Sequence, residues 1–257
     1  MDIWQLLILA VLGFVGGVLT GVAGVGGGIV FVPTLVYAAG WEIQEAVAAS
    51  FVIIVFSSLS GTIRNVRSTD PPSWRAAALL ASTVAPASLI GVYVSSVSPP
   101  AVVQIAFAGV LLALAYPTAR GGSDPSKESR KIPPALVLLS GIGIGSLSGL
   151  VGVGGGVVMV PLLVLGLGLT TKRAVSTSLA VVFFTSIVAS LGYAVAGFAD
   201  FFSLAPLVVG SMVGAWSGVR LRERLPDRAI RAGFAALMVL IALRTLAEAS
   251  TSSIALL

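Results

Sequence analysis

The sequence of 257 residues contains no cysteine and no histidine, and only 10% of its residues are charged. The absence of cysteine excludes disulfides and thiolate chemistry, and the absence of histidine excludes histidine metal sites. Serine hydrolase chemistry that depends on a histidine base is excluded as well. Since no pair of buried acids is evident either, we expect neither an enzyme nor a bound cofactor or metal.

The scarcity of charge indicates a membrane protein. Soluble domains carry about 25% charged residues, whereas this chain has 10% charged and 57% hydrophobic residues. Apolar stretches recur from one end to the other, which is typical of a helical, polytopic membrane protein. The net charge of +5 comes from basic residues in short loops, a pattern of membrane topology and not of nucleic-acid binding. Asp2 stands where a cleavable signal peptide would have basic residues, so we expect none.

Ten apolar segments are predicted, five on either side of a polar linker. The first five are 3–20, 27–39, 46–63, 76–94 and 101–116, and the second five are 134–149, 155–168, 174–196, 204–219 and 230–247. The linker, 119–132, is rich in glycine, serine and charge, which is typical of a boundary between structural units. We therefore expect a first repeat at 1–118 and a second at 133–257.

The two halves repeat each other in sequence. Residues 21–50 match residues 149–178 at a constant offset of 128, with 15 of 30 positions identical. The identities include the glycine clusters, Pro33 with Pro161, and Ser50 with Ser178. The offset later becomes 127, where Gly91 pairs with Gly218. Chance similarity between apolar segments would supply valine and leucine matches, but not aligned glycines, a proline and a serine without a gap.

An odd number of segments per half turns the second half upside down, which predicts two inverted-topology repeats. With the linker in the cytoplasm, 14 of the 15 Lys and Arg residues lie on that side, and only Arg244 lies outside. This placement follows the positive-inside rule for short loops. We therefore expect a multi-pass protein of the inner (plasma) membrane with both termini extracytoplasmic. Inverted repeats are a recurrent architecture of secondary transporters.

Segments 2 and 7 are too short for a full crossing, which needs about 20 residues, and each follows a glycine cluster. The clusters are Gly24, Gly26, Gly27 and Gly28 in the first half, and Gly152, Gly154, Gly155 and Gly156 in the second. Glycine and proline disfavour a continuous helix, and unwound backbone at membrane depth survives only when it is buried or lines a cavity. We expect glycine-interrupted hairpins at 1–2 and 6–7, either spanning or re-entrant.

A glycine turn that leads into a helix exposes unpaired amides at the positive end of the helix dipole, which together can bind an anion. Two such turns at matching positions are the best sequence pointer to a transporter site. The alternative is that the glycines only allow close helix packing. We favour the anion site, because the clusters are paired.

Hydroxyl side chains on segments 3 and 8 form a second candidate set: Ser50 and Ser57 in the first half, and Thr177, Ser178 and Thr185 in the second. Residues seven apart share a helix face, and hydroxyls can donate to an oxyanion. They can equally bond to their own helix or join helices. Arg64, beside Asn65 at the end of segment 3, is expected to be an interfacial anchor, with a place in a cytoplasmic vestibule as the alternative. No charged residue is placed clearly inside a segment.

The paired glycine-and-proline stretches make the chain similar to the TauE/SafE family of sulfite and organosulfonate permeases. The similarity rests on 24–33 with Ala46 and Ser50, and on 152–161 with Ala174, Thr177 and Ser178, and it extends over nearly the whole chain. The resemblance implies transport of sulfite, sulfoacetate and related anions, often outward.

The sequence thus predicts an all-α polytopic membrane protein that exports small sulfur-containing anions. Its expected partners are a small anionic solute and the lipid bilayer, with no nucleic acid, and a homo-oligomer is left open. Two alternatives remain: a channel or permease for an unrelated small solute, and a non-catalytic subunit of a membrane assembly.

Overall fold

The computed structural model describes residues 3–120, 134–198 and 204–226, and residues 232, 235–236, 239–240 and 242–247 near the carboxyl end. Within these residues the secondary structure is helical, without strands. The helices are α1 (Ile3–Ala23), α2 (Gly28–Pro33), α3 (Ile43–Val66), α4 (Trp74–Val97), α5 (Pro100–Arg120), α6 (Pro134–Val151), α7 (Gly156–Leu167), α8 (Thr171–Val195) and α9 (Ala205–Arg224). The described residues between 232 and 247 are also helical. Because the tenth segment is described only in part, the count of ten stays a prediction.

Helices of membrane-spanning length confirm the expected class. Among the described residues, four helices are long and apolar enough to cross a bilayer: Trp4–Ala23, Ile43–Val66, Trp74–Val97 and Thr171–Val195. Large apolar side chains such as Trp4, Tyr93 and Val195 lie on the outside of the bundle. Such a surface suits lipid, since a soluble monomer rarely exposes large apolar patches.

Small residues bring α1 and α9 into backbone contact. A Cβ built at Gly17 of α1 would collide with the carbonyl of Ser211 in α9, and one at Gly214 of α9 would collide with the carbonyl of Phe14. Glycines recur every fourth residue along both contact faces. This spacing is the small-residue pattern by which membrane helices approach closely.

The same contact recurs between α6 and α4, where a Cβ at Gly149 would collide with the carbonyl of Ser88. In the repeat, α6 corresponds to α1 and α4 corresponds to α9. The pairs α1–α9 and α6–α4 are therefore equivalent, and each joins a helix of the first half to a helix of the second. α3 packs on its own counterpart α8. The two halves therefore interlock, and most residues of the linker between them lie outside the described part of the chain.

The short segments 2 and 7 differ in their details. α2 ends at Pro33 and continues as one wide π-helical turn, Thr34–Ala38, whereas α7 runs as an α-helix through Pro161 to Leu167. Proline has no amide hydrogen to donate and clashes with the preceding turn. A π turn is one way for the chain to relieve this conflict.

Candidate functional site

Two breaks in the helices form the centre of the site. α1 ends at Ala23 and α2 begins at Gly28, and α6 ends at Val151 and α7 begins at Gly156. Within each break, three glycines have positive φ angles between 73° and 84°: Gly24, Gly26 and Gly27 in the first, and Gly152, Gly154 and Gly155 in the second. This left-handed conformation is accessible to glycine without strain, which explains why the sequence concentrates glycine here.

The two breaks touch each other. A Cβ at Gly28 would collide with the carbonyl oxygen of Gly152, and a Cβ at Gly156 would collide with the carbonyl oxygen of Gly24. All four residues are buried. The structure therefore brings together the two glycine clusters that the sequence analysis paired, and it does so through reciprocal backbone contacts.

Apolar side chains from α3 and α8 close the space beside the breaks. Ile54 and Val182 occupy equivalent positions in the two halves and are both fully buried. Built Cβ atoms at Gly26 and Gly154 would lie 2.9 and 3.1 Å from the Val182 Cγ1 atom. Because the surroundings are apolar, polar backbone groups in the breaks are shielded from water.

Several buried amides in the breaks have no acceptor within the part of the chain that the structure describes. In the first break, the amide of Gly24 donates to Thr20 (2.9 Å), and the next donor along the chain is Val30, which donates to Gly27 (2.8 Å). Among the described residues, no acceptor pairs with the amides at 26–28 or, in the second break, at 154–156. Buried amides without a partner are rare in native proteins, so these six groups are the candidate donors of the site.

Ser50 and Ser178 connect each break to the opposite half. The Ser50 hydroxyl lies 3.0 Å from the Gly152 carbonyl oxygen, and the Ser178 hydroxyl lies 2.7 Å from that of Gly24. Each hydroxyl also lies within hydrogen-bonding distance of a carbonyl in its own helix. Both serines are fully buried, and they form a matched pair of links between the halves.

The remaining predicted hydroxyls bond to their own helices. Ser57 donates to the Ile54 carbonyl (3.2 Å) and Thr185 to that of Val181 (2.9 Å), and both side chains are fully buried. Thr177 donates to the Arg173 carbonyl (2.7 Å) and accepts from the Ser73 amide (2.9 Å). Thr177 therefore fixes the chain just before α4, away from the breaks. A role in binding for these three hydroxyls stays a prediction.

Arg222 is a functional candidate that the sequence reasoning missed. The predicted ninth segment stopped at Val219, which placed Arg222 in a basic loop, but α9 continues to Arg224. The Arg222 side chain is only 3% exposed, and its guanidinium donates to Asn65 Oδ1 (2.6 Å) and Ser176 Oγ (3.1 Å). The loop position expected for Arg222 was thus wrong, although the residue lies in the last turn of α9 and not in the middle of a segment. The signal in the sequence was Asn65, a polar residue that a lipid-facing position would not carry.

No cluster of acidic residues in the described part of the chain could hold a metal ion. The polar groups at the breaks are backbone amides and carbonyls, the hydroxyls of Ser50 and Ser178, and the guanidinium of Arg222 one helical turn before the first break.

Comparisons with known proteins place the chain among membrane transporters. The family model described as "Sulfite exporter TauE/SafE" matches residues 9–245. The chain is 26% identical to the "Probable membrane transporter protein YunE" of Bacillus subtilis, over 87% of this chain and 91% of that protein. It is 24% identical to a "Probable membrane transporter protein" of Haemophilus influenzae, over 93% of this chain and 97% of that protein. No solved structure gives a significant match.

Proposed function

Because the chain belongs to the sulfite exporter TauE/SafE family, and is therefore a membrane transporter, we propose that its cargo is a small sulfur-containing anion. Sulfite, sulfoacetate and other organosulfonates are the candidates that we propose. The observation that carries this proposal is the pair of touching glycine breaks, whose buried amides at 26–28 and 154–156 have no acceptor among the described residues. The family's transporter character also argues for a carrier and against an enzyme.

The chemistry of these groups suits an oxyanion. Backbone amides at the amino-terminal end of a helix point toward a bound anion, and the helix dipole adds partial positive charge there. The oxygens of a sulfite or sulfonate group can accept several such bonds at once. Binding without a fixed charge at the breaks is weak enough to be reversed, which a carrier requires.

The contacts between the breaks support an alternating-access mechanism. In this conformation the backbones at Gly28 and Gly156 press against the opposite break, so an anion reaches the amides only when the halves separate. The hydroxyls of Ser50 and Ser178 hold the breaks together. We propose that opening on either side of the membrane breaks one of these two links, and that the repeat supplies an equivalent serine link for each opening.

We further propose that the protein resides in the inner (plasma) membrane with the 119–132 linker in the cytoplasm and both termini outside. The basic residues at the ends of α3 and α9 support this orientation, since the rule for short loops counts lysine and arginine. Inverted repeats at 1–118 and 133–257 are part of the same proposal. Outward transport is proposed by analogy with the printed description of the family.

Counterflow in liposomes tests the function. Purified protein is reconstituted with internal sulfite, and the exchange of labelled sulfite, sulfoacetate, taurine and sulfate is measured. We expect saturable exchange of at least one sulfur-containing anion. Gly27→Val and Gly155→Val should abolish it, because φ angles of 76° and 74° exclude valine. Exchange of none of these anions by the wild type would contradict the proposal and favour an unrelated solute or an assembly role.

A further inference from the structure

We propose that Arg64, Asn65 and Arg222 form a second anion site that binds a small oxyanion. The site has no counterpart at the equivalent place in the other half of the repeat. This site lies beside the first glycine break but shares no residue with it. The proposal names a further binding site for the anion of the proposed function and rests on that function for the identity of the cargo. Its geometry is independent of the amides in the breaks.

The proposed ligands lie at the ends of α3 and α9, and Arg222 contacts the end of α1. Asn65 lies in the last turn of α3, and Arg222 lies in the last turn of α9. The Arg222 guanidinium also donates to the carbonyl of Gly21 (3.2 Å), one turn before the first break in α1. The Arg64 guanidinium carbon lies 5.9 Å from the ring centroid of Trp216. The cluster therefore joins the end of α1, the end of α3 and the end of α9.

Two buried donors here have no acceptor among the residues that the structure describes. Asn65 is fully buried; its Nδ2 atom is one of these two donors, while its Oδ1 atom accepts from Arg222. The buried Nε atom of Arg64 is the other. Leaving a buried donor unsatisfied costs roughly as much as a lost hydrogen bond. A cluster of donors that includes two arginines is suited to an oxyanion, because guanidinium groups match its geometry and charge.

The equivalent place in the other half carries no arginine. At the repeat offsets of 128 and 127, Asn65 corresponds to Tyr193 and Arg222 corresponds to Ser95. The Tyr193 hydroxyl donates to the carbonyl of Gly149 (2.8 Å), the residue that corresponds to Gly21. In both halves a side chain donates to a carbonyl near the end of the helix that precedes the break. The donor is the cationic Arg222 in one half and the neutral Tyr193 in the other.

This difference gives the carrier two unlike ends. An anion that leaves the breaks toward the Arg222 end meets charged donors, whereas toward the Tyr193 end it meets neutral hydroxyls. Because the anion binds more tightly at the Arg222 end, the anion concentration that gives half-maximal transport should be lower on that side of the membrane. In the proposed topology this side faces the cytoplasm, where a carrier that exports a dilute anion needs to collect it.

A purely structural role is the competing explanation, because Arg222 also caps the carboxyl end of α1, where cations are stabilising. Trp216 provides a reporter that separates the two roles. In a full-length variant with Trp4→Phe, Trp41→Phe and Trp74→Phe, Trp216 is the remaining tryptophan of the four in the chain. Sodium sulfite is titrated into this purified protein at constant ionic strength, with sodium chloride as the matched control.

We expect a saturable change in Trp216 emission with sulfite and none with chloride. Arg64→Gln and Asn65→Ala should each raise the dissociation constant by about tenfold, the equivalent of one hydrogen bond to a charged group. Ser95→Ala, at the equivalent place in the other half, should leave it unchanged. The melting temperature without anion is measured for every variant, which reports any loss of structure.

An unchanged dissociation constant in Arg64→Gln and Asn65→Ala would overturn the second site, whatever happens to their melting temperatures. The absence of a saturable sulfite response in the wild-type background would overturn it as well. Counterflow measured with the same preparations distinguishes a failure of the second site from a failure of the proposed function. Binding at Trp216 without exchange would contradict sulfite transport and leave the site intact, whereas exchange without binding at Trp216 would contradict the site alone.

Discussion

The hydroxyl of Ser50 lies 3.0 Å from the carbonyl oxygen of Gly152, a residue 102 positions away in the other half of the chain. The same contact is made in reverse by Ser178 and Gly24, at 2.7 Å. The single hydrogen of each serine hydroxyl is thus shared between a carbonyl inside the opposite glycine break and a carbonyl of its own helix. The two contacts connect the candidate site to the packing of the two halves. Substitutions that alter the contacts should therefore change both the stability of the protein and its transport activity.

Removing one of these hydroxyls should weaken the closed conformation. Ser50→Ala leaves the carbonyl of Gly152 without its donor and should cost about 1 kcal/mol of stability. Ser178→Ala should cost a similar amount, because the two contacts are equivalent. Thermal unfolding of the purified variants measures the effect. Ser82→Ala is the control, since that hydroxyl is exposed and bonds within its own helix; equal losses in all three variants would contradict a specific link.

A methyl group placed between the breaks should force them apart. Gly28→Ala and Gly156→Ala would each put a Cβ against a carbonyl of the opposite break, and overpacking of this kind costs about 1–3 kcal/mol. We expect a lower melting temperature and a loss of counterflow while membrane insertion persists. Gly143→Ala serves as the control, because nothing lies within 4 Å of a Cβ there. Wild-type flux in both variants would show that transport does not use the contact between the breaks.

The inverted repeat predicts that equivalent loops lie on opposite sides of the membrane. The chain has no cysteine, so single cysteines can be introduced without background. Thr69→Cys lies after α3 and Ala196→Cys lies just beyond α8, and both positions are exposed. A membrane-impermeant thiol reagent added to whole cells should label Ala196→Cys and spare Thr69→Cys until the cells are opened. Labelling of both from one side would contradict the inverted topology.

Ligand binding should stabilise the purified protein in proportion to anion concentration. A ligand at about 100 times its dissociation constant adds about 2.7 kcal/mol to the free energy of unfolding. Sulfite or an organosulfonate should therefore raise the melting temperature, whereas chloride at equal ionic strength should not. An equal rise with both salts would indicate a general ionic effect and argue against selective binding.

Much of the fold could be predicted because membrane helices are long apolar runs, which are recognised directly in a sequence. Nine of the predicted segments begin within a few residues of α1–α9, and the breaks at Gly24 and Gly152 lie where glycine and proline interrupt the pattern. The contacts between the breaks could not be predicted. Periodicity places a residue on a face of a helix, but it does not say which other helix covers that face.

The main error concerns Arg222. A run of alternating arginines after an apolar segment is typical of a cytoplasmic loop, and Arg220 and Arg224 are indeed exposed. Helix α9 instead extends one turn further, and the Asn65 side chain receives the guanidinium inside the bundle. The sequence also does not show which acceptor each hydroxyl donates to. Ser57 and Thr185 donate to carbonyls of their own helices, whereas Ser178 donates to a carbonyl in the other half.

The most direct measurement follows the amides themselves. Protein labelled with ¹⁵N at its 30 glycines is reconstituted in bilayers, and solid-state NMR spectra are recorded during a sulfite titration, with resonances assigned by single substitutions. We predict saturable shifts at Gly26, Gly27 and Gly28 and at Gly154, Gly155 and Gly156, with none at Gly109 or Gly143. Sulfite exchange by the same sample without any shift at these six glycines would contradict an anion site built from backbone amides.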